Sequence, residues 1–247
     1  MADRQDLDRI RREYHDQGFS VVEGLFSAQE CLAIQKIAER LPNFVSGSLL
    51  PVMNPHREQP KLLTTMADDR VVSIVRRLMD GTPVGLQTQY FFCQPGTRGF
   101  SAHQDNYYVR APQDKFVSAW LALEDVRSEN GALIVQPGSH REPVLEVRDI
   151  PQPSFFGQDR NHNRQECVTA NAYPKVSVEV PQGGVVFLHS HVIHSSNDNV
   201  TDNRFRRVLL MTYLAEGADF RPGFIAKRQT FALTATASSP TRHGACR

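Results

Sequence analysis

SAHQDNYYVR, residues 101–110, sets His103 and Asp105 two positions apart, just ahead of the pair Tyr107 and Tyr108. In an extended strand, residues i and i+2 share one face, roughly 7 Å apart along the chain. On that spacing His103 and Asp105 reach a single metal ion while Gln104 points away. One imidazole and one carboxylate do not complete such a site. The facial triad that holds non-haem iron needs a second histidine and leaves positions open for other ligands. GGVVFLHSHVIHSSNDN, residues 183–199, offers His189, His191 and His194. His189 and His191 share one face, whereas His194 has the opposite parity and stands where the strand runs into a polar turn. Strand ends are where ligands approach from solvent, but spacing alone leaves all three open. Whichever histidine is the ligand, the other two have structural roles. NRFRRVLLMTYL, residues 203–214, then opens a strand with Arg206 and Arg207 on opposite faces. At most one of them points inward, where a guanidinium grips a carboxylate through two parallel charge-assisted hydrogen bonds.

The segments around these motifs predict helices first and a sheet core afterwards. Leu7, Ile10 and Tyr14 follow a helical spacing that stops at Gly18. Ser27 and Glu30 form a capping box in front of an apolar stripe (Cys31, Ile34, Ile37, Ala38, Leu41) that Pro42 ends. A further helix is expected from about Asp68 to Met79. Beyond it come short β-type runs separated by Gly and Pro: VGLQTQYFF, KFVSAWLALE, GALIVQP, PVLEVR, KVSVEV, GGVVFLHSHVIH and RRVLLMTYL. Such a series predicts an antiparallel sandwich or barrel. Residues 149–174 make a long connection that carries Phe155 and Phe156, and long connections in compact domains often serve as lids or binding loops. The expected layout is a single domain over residues 1–247. It has a mostly helical part at 1–80, a sheet core at 81–217 and a C-terminal tail at 218–247 that is loosely ordered from Thr230.

Composition narrows the classes of function. With 28 basic and 27 acidic side chains the formal charge is +1, which argues against a nucleic-acid or membrane-surface partner. No stretch approaches the roughly 18 apolar residues of a membrane span. The charged N-terminus has no signal-peptide pattern. Cys31, Cys93, Cys167 and Cys246 are scattered without a CxxC pair, as expected of free thiols in a reducing cytoplasm. No H-E-x-x-H pattern supports a zinc hydrolase.

Four blocks in order, HQDNYY, SAWLALEDVRSENGALIVQPGSH, GGVVFLHSHVIHSSNDN and FRRVLLMTYL, resemble the phytanoyl-CoA dioxygenase-like family of Fe(II)- and 2-oxoglutarate-dependent oxygenases. The resemblance covers roughly residues 84–215. It implies a mainly β fold with N-terminal helices, a double-stranded β-helix or cupin-like jelly roll. It also implies Fe(II) held by His103, Asp105 and His194, with 2-oxoglutarate as cosubstrate and O2 as oxidant. Arg206 would bind the far carboxylate of the cosubstrate with help from Ser196, and Trp120 would stand close by. Gln94 occupies the place of a further cosubstrate contact. Tyr107, Tyr108 and Phe155 are candidates for facing a small-molecule substrate. In related halogenases a small residue replaces the aspartate, so Asp105 points to hydroxylation or another non-halogenating oxidation, with release of succinate and carbon dioxide. Two further readings use the same residues: a cupin-like metalloenzyme that does without 2-oxoglutarate, and a non-catalytic jelly-roll module that binds a small molecule.

Overall fold

Strands covered on both faces are apolar at nearly every position, and the segments FVSAWLA (116–122), VVFLH (185–189) and VLLMTYLA (208–215) follow that rule. The computed structural model describes residues 4–150 and 165–233. Its main sheet has six antiparallel strands, in the order β1 (Phe19–Val22), β9 (Val185–His189), β4 (Phe116–Ala122), β11 (Val208–Ala215), β3 (Pro83–Phe91) and β2 (Val52–Met53). A smaller sheet of β10 (His194–Ser196), β5 (Leu133–Val135) and β8 (Val176–Val178) packs against it. Side chains alternate between two cores. From β4, β9 and β11, Val117, Ala119, Leu121, Phe187, Leu209, Met211 and Tyr213 pack outward against the helices. Trp120, Val186, Leu188, Val208 and Leu210 point inward against Leu133, Val135 and Val178 of the smaller sheet. The result is the cupin-like jelly roll expected from the sequence, with the site built on the inward-facing parity.

The outer face is covered by α1 (Arg4–Gln17), α2 (Ala28–Ala38), α4 (Pro60–Met66) and α5 (Asp69–Met79), through Ile10, Tyr14, Ile34, Met66, Ile74 and Val75. The capping box is present. Ser27 Oγ accepts from the Glu30 amide, and Glu30 accepts in return from the Ser27 amide. Arg70 reaches this helix end and the Asp68 cap together, at 2.6 Å from Glu30 and 2.7 Å from Asp68.

Several expectations need correction. The mostly helical N-terminal part also adds two short strands that the sequence reading lacked, β1 pairing with β9 and β2 with β3. Both strands are too short to show an alternation. Helix α2 ends at Ala38, and Pro42 instead occupies the first turn of the short helix α3 (Pro42–Val45), where its missing amide proton costs nothing. GGVVFLHSHVIH is not one strand. It turns between β9 and β10 and so changes sheet. The ends of the 149–174 connection pair as β6 (Val147–Asp149) with β7 (Gln165–Cys167), while Phe155 and Phe156 lie outside the described residues. The start of the tail expected to be loose from Thr230 is held in place, as is the turn before it. Phe231 pairs with Gly85, and the Ala226 carbonyl accepts from Asn54 Nδ2 at 2.7 Å.

Candidate active site

His103 and His194 face each other across an isolated antiparallel bridge, each amide donating to the other's carbonyl at 2.9 and 3.0 Å. The bridge sets the two imidazoles side by side, with ring centroids 4.2 Å apart. In each ring Nδ1 lies against a backbone carbonyl, Ser101 at 2.8 Å and Val192 at 3.1 Å. A carbonyl only accepts, so Nδ1 carries the proton of the neutral ring and Nε2 presents a lone pair. Fixing the outer nitrogen in this way is how proteins orient metal-binding histidines. Burial and the neighbouring His194 push the His103 pKa down, more than Asp105 and the Ser101 carbonyl hold it up. A neutral imidazole is the form that coordinates a metal.

Asp105 completes the set, although not from a strand. The chain leaves the bridge at His103 and turns, so that Asp105 stands just ahead of the helical turn α6 (Asn106–Val109) with its side chain free of the helix end. Its Oδ1 lies 3.7 Å from His103 Nε2 and 3.8 Å from His194 Nε2. Two ligands each about 2.0–2.2 Å from one ion can lie no more than about 4.4 Å apart, and both distances fall inside that limit. All three donor atoms lie within 4.8 Å of one another, and among the described residues no other group of three or more His, Cys, Asp or Glu side chains is so arranged. The other carboxylate oxygen, Oδ2, accepts from Ser118 Oγ at 2.6 Å, which aims Oδ1 at the imidazoles. Gln104 points away, as expected. It is buried, donates to the His191 and Pro143 carbonyls and accepts from the Leu145 amide, pinning the turn in place.

The other two histidines have structural partners. His189 Nε2 bonds Asp114 at 2.7 Å while its Nδ1 accepts from the His191 amide. His191 bonds the Glu142 carbonyl and Asn106. Strand parity separates the two arginines. Arg207 faces outward and pairs with Glu124 at 2.6 Å. Arg206, only 4% exposed, turns inward. Its Nη1 donates to the Gly131 carbonyl at 2.8 Å, its Nη2 to Cys93 Sγ at 2.6 Å, and its Nε has no partner among the described residues. Trp120 lies beside the guanidinium, 5.8 Å away. Two glycines make this packing possible. Gly131 has φ +104°, a backbone conformation that a side chain strains, and the Arg206 stem runs past it. At Gly99 a Cβ would run into the Ser196 carbonyl.

The triad, Arg206, Ser196, Trp120 and Tyr108 all line one cavity of about 600 Å³. Two sequence candidates do not join them. Gln94 follows the end of β3, where the inward parity falls on Gln87, Gln89, Phe91 and Cys93. Its carbonyl closes a turn with the Thr97 amide. Tyr107 packs edge-on against Tyr108 and under Arg110, outside the cavity lining. Phe155 lies outside the described residues. Sequence reasoning missed Ser118, Gln87 and Gln89, whose only signal was their inward parity on β4 and β3. It also missed the 221–228 turn, which supplies one wall.

The sequence model of the family "Phytanoyl-CoA dioxygenase (PhyH)" matches residues 14–208. The chain belongs to that family. The span matched by the phytanoyl-CoA dioxygenase family contains His103, Asp105, His194 and Arg206 and ends before the 221–228 turn. Phytanoyl-CoA dioxygenase domain-containing protein 1 of Rattus norvegicus is 32% identical over 170 residues, 68% of this chain and 58% of its own length. The Danio rerio protein of that name is 32% identical over 155 residues, 60% of this chain and 50% of its own. The chain thus spans about half the length of the curated relatives it matches first. A probable alpha-ketoglutarate-dependent hypophosphite dioxygenase of Stutzerimonas stutzeri is 25% identical over 231 residues, 84% of this chain and 78% of its own. Among solved structures, the epimerase SnoN in complex with Fe3+, alpha ketoglutarate and nogalamycin RO superposes with a TM-score of 0.72 at 22% identity, covering 98% of this chain and 96% of its own. EvdO2 from Micromonospora carbonacea var. aurantiaca, complexed with 2-oxoglutarate, gives 0.69 at 22%, covering 87% and 91%. At these identities the two structures establish the shared fold.

Proposed function

We propose that the chain is an Fe(II)- and 2-oxoglutarate-dependent oxygenase that oxidises an unactivated carbon of a small-molecule substrate, consuming O2 and releasing succinate and carbon dioxide. One observation carries this reading. Two imidazole lone pairs converge on one carboxylate oxygen in the same cavity that receives a buried guanidinium with a donor to spare. Family membership and the iron and 2-oxoglutarate bound in the structural neighbours support it. The donor set of two neutral imidazoles and one carboxylate suits iron and leaves room for a chelating cosubstrate.

His103, His194 and Asp105 would hold the ion, and Arg206 would bind the far carboxylate of 2-oxoglutarate, with the Ser196 hydroxyl beside it. Bound there, iron and 2-oxoglutarate together supply the activation of O2 and the oxidising equivalents. The chain supplies orientation and a dry chamber. Ser101, Val192 and Ser118 fix the three ligands. Phe91, Leu133, Leu188 and Leu210 keep water from the reacting carbon. Tyr108 lines the cavity, which supports it over Tyr107 as the tyrosine that would meet the substrate. The family's hydroxylation chemistry fits the retained Asp105.

We further read residues 1–247 as one domain, since the helical part and the sheets share a core. The free thiols Cys31 and Cys167 support a reducing cytoplasmic setting. No helix among the described residues is long and apolar enough to cross a membrane. The near-neutral charge supports a small-molecule partner over a nucleic acid or a membrane surface.

The test is anaerobic reconstitution with Fe(II) and 2-oxoglutarate followed by admission of O2. Succinate should form slowly without substrate and faster with a matching one. Protein that binds iron but forms no succinate under any condition would refute the proposal in favour of a binding module.

A further inference from the structure

The turn after β11 brings two arginines to the cavity mouth. It is a fixed piece of structure. The Lys227 and Arg228 amides donate back to the Gly223 and Pro222 carbonyls, and Arg57 Nη2 holds the Lys227 carbonyl at 2.6 Å. One edge of each guanidinium clamps α6. Arg221 donates through Nη2 and Nε to the Tyr107 and Tyr108 carbonyls, and Arg228 Nη1 shares the Tyr108 carbonyl. This clamp leaves Arg221 Nη1 and Arg228 Nε and Nη2 without a partner among the described residues.

The charge of the pair is not neutralised either. Arg70, Arg77, Arg127, Arg204 and Arg207 each sit against a carboxylate, whereas neither Arg221 nor Arg228 has an ion pair among the described residues. Burial lowers the Arg228 pKa, and the positive charge of Arg221 acts in the same direction, against Asp105. The cavity lining therefore holds three guanidiniums, Arg206, Arg221 and Arg228, against one carboxylate, Asp105, which is already engaged with the imidazoles and Ser118. Two like charges held together in a partly desolvated wall are relieved by an anion. Beside them, Phe224 and Ile225 are 94% and 70% exposed and form an apolar lip on the same cavity.

We infer that the substrate is a compact amphiphilic acid whose oxyanionic group, a carboxylate or phosphonate, sits on the free edges of Arg221 and Arg228, with its apolar body against Phe224, Ile225 and Tyr108. This rests on the oxygenase reading and narrows it. The second acid site is distinct from the cosubstrate site at Arg206, and it lies outside the span matched by the family. The two arginines line the same chamber as the triad, so the anion belongs close to the oxidised carbon rather than at the far end of a long carrier.

Trp120 is the only tryptophan and lines the chamber, so its fluorescence reports occupancy. The full chain, saturated with Mn(II) and 2-oxoglutarate, is titrated with hexanoate, hexylphosphonate, hexanol and hexylamine. At least one acid should bind about tenfold or more tighter than hexanol and hexylamine. Arg228→Gln should weaken that acid about tenfold or more, and Arg228→Lys should restore most of the loss. Arg221→Gln, at an exposed residue, gives a smaller loss in the same direction and guards against misfolding of the first variant. The preceding Mn(II) and 2-oxoglutarate titrations should be unchanged in all three variants. Acids that bind no tighter than hexanol, or that are indifferent to both Gln variants, overturn the inference while leaving the oxygenase reading intact. Absence of 2-oxoglutarate binding to the wild type, with acid binding still lost in Arg228→Gln, sinks the oxygenase reading and leaves the arginine site standing.

Discussion

Arg206→Ala separates the cosubstrate reading from a merely structural role for this arginine. In the folded chain the guanidinium is 4% exposed and gives two hydrogen bonds, to the Gly131 carbonyl and Cys93 Sγ. Its remaining donors are the ones free for a carboxylate. Losing the partner of a buried, hydrogen-bonded charge costs about 2–5 kcal/mol, so 2-oxoglutarate should bind roughly 30- to several-thousand-fold more weakly. The same change strips the Gly131 carbonyl of its donor, and an orphaned buried acceptor costs about 1–3 kcal/mol of stability. The assay therefore pairs an anaerobic 2-oxoglutarate titration in the presence of Mn(II), followed through Trp120 fluorescence, with a thermal melt. Arg206→Lys keeps the charge but loses the planar fork, so its loss should be intermediate. Metal binding without cosubstrate should stay within about threefold of wild type, since Arg206 is no ligand. A folded Arg206→Ala protein that binds 2-oxoglutarate as tightly as wild type would refute the assignment.

Asp105→Ala and His194→Ala should each abolish metal binding in a dialysis assay and iron-dependent turnover, and retained turnover in either would disprove the triad. Ser118→Ala removes the hydrogen bond that aims Asp105, and such a loss typically weakens metal binding about 10- to 100-fold. Unchanged affinity would remove Ser118 as a positioning residue. Burial pushes the His56 pKa down to about 4, and the positive charge of Arg57 adds a smaller push in the same direction. The unfolded imidazole takes its proton near pH 6.5, so between about pH 6.5 and 4 the unfolded chain binds more protons and stability falls as pH falls. His56→Gln should flatten that limb of the urea midpoint against pH. It will not erase it, because His189 is also lowered to about 4 by burial. A limb equally steep in the variant would contradict the assignment.

The long strands and most of the site were legible because inward and outward residues alternate over enough positions to be read. Trp120, Leu188 and Leu210 share the inward parity. Parity also leaves only one of Arg206 and Arg207 facing in. Legibility fails where structure is short or depends on distant partners. Four residues of β1 and two of β2 carry no periodicity, and their strand character comes from the sheet edges they join. Asp105 reaches the two imidazoles through a turn that Gln104 pins from distant segments, so the residue named from strand spacing arrives there by a different geometry. Tyr107 and Tyr108 are neighbours of identical type, and the direction of the α6 turn decides between them. The arginines of the 221–228 turn carry no local signal, because their meaning depends on the carboxylates they lack.

The bridge between His103 and His194 makes strand register and ligand identity a single variable. Sliding one segment past the other by a single residue would set Ala102 or Gln104 opposite His194 and send the His103 ring to the other face. A misregistered chain then has no triad. Any ion that binds adds its free energy to the one pairing that assembles the ligands. Metal loading would thus act as a proofreading step for the fold, favouring correctly closed sandwiches over slipped ones before any substrate arrives.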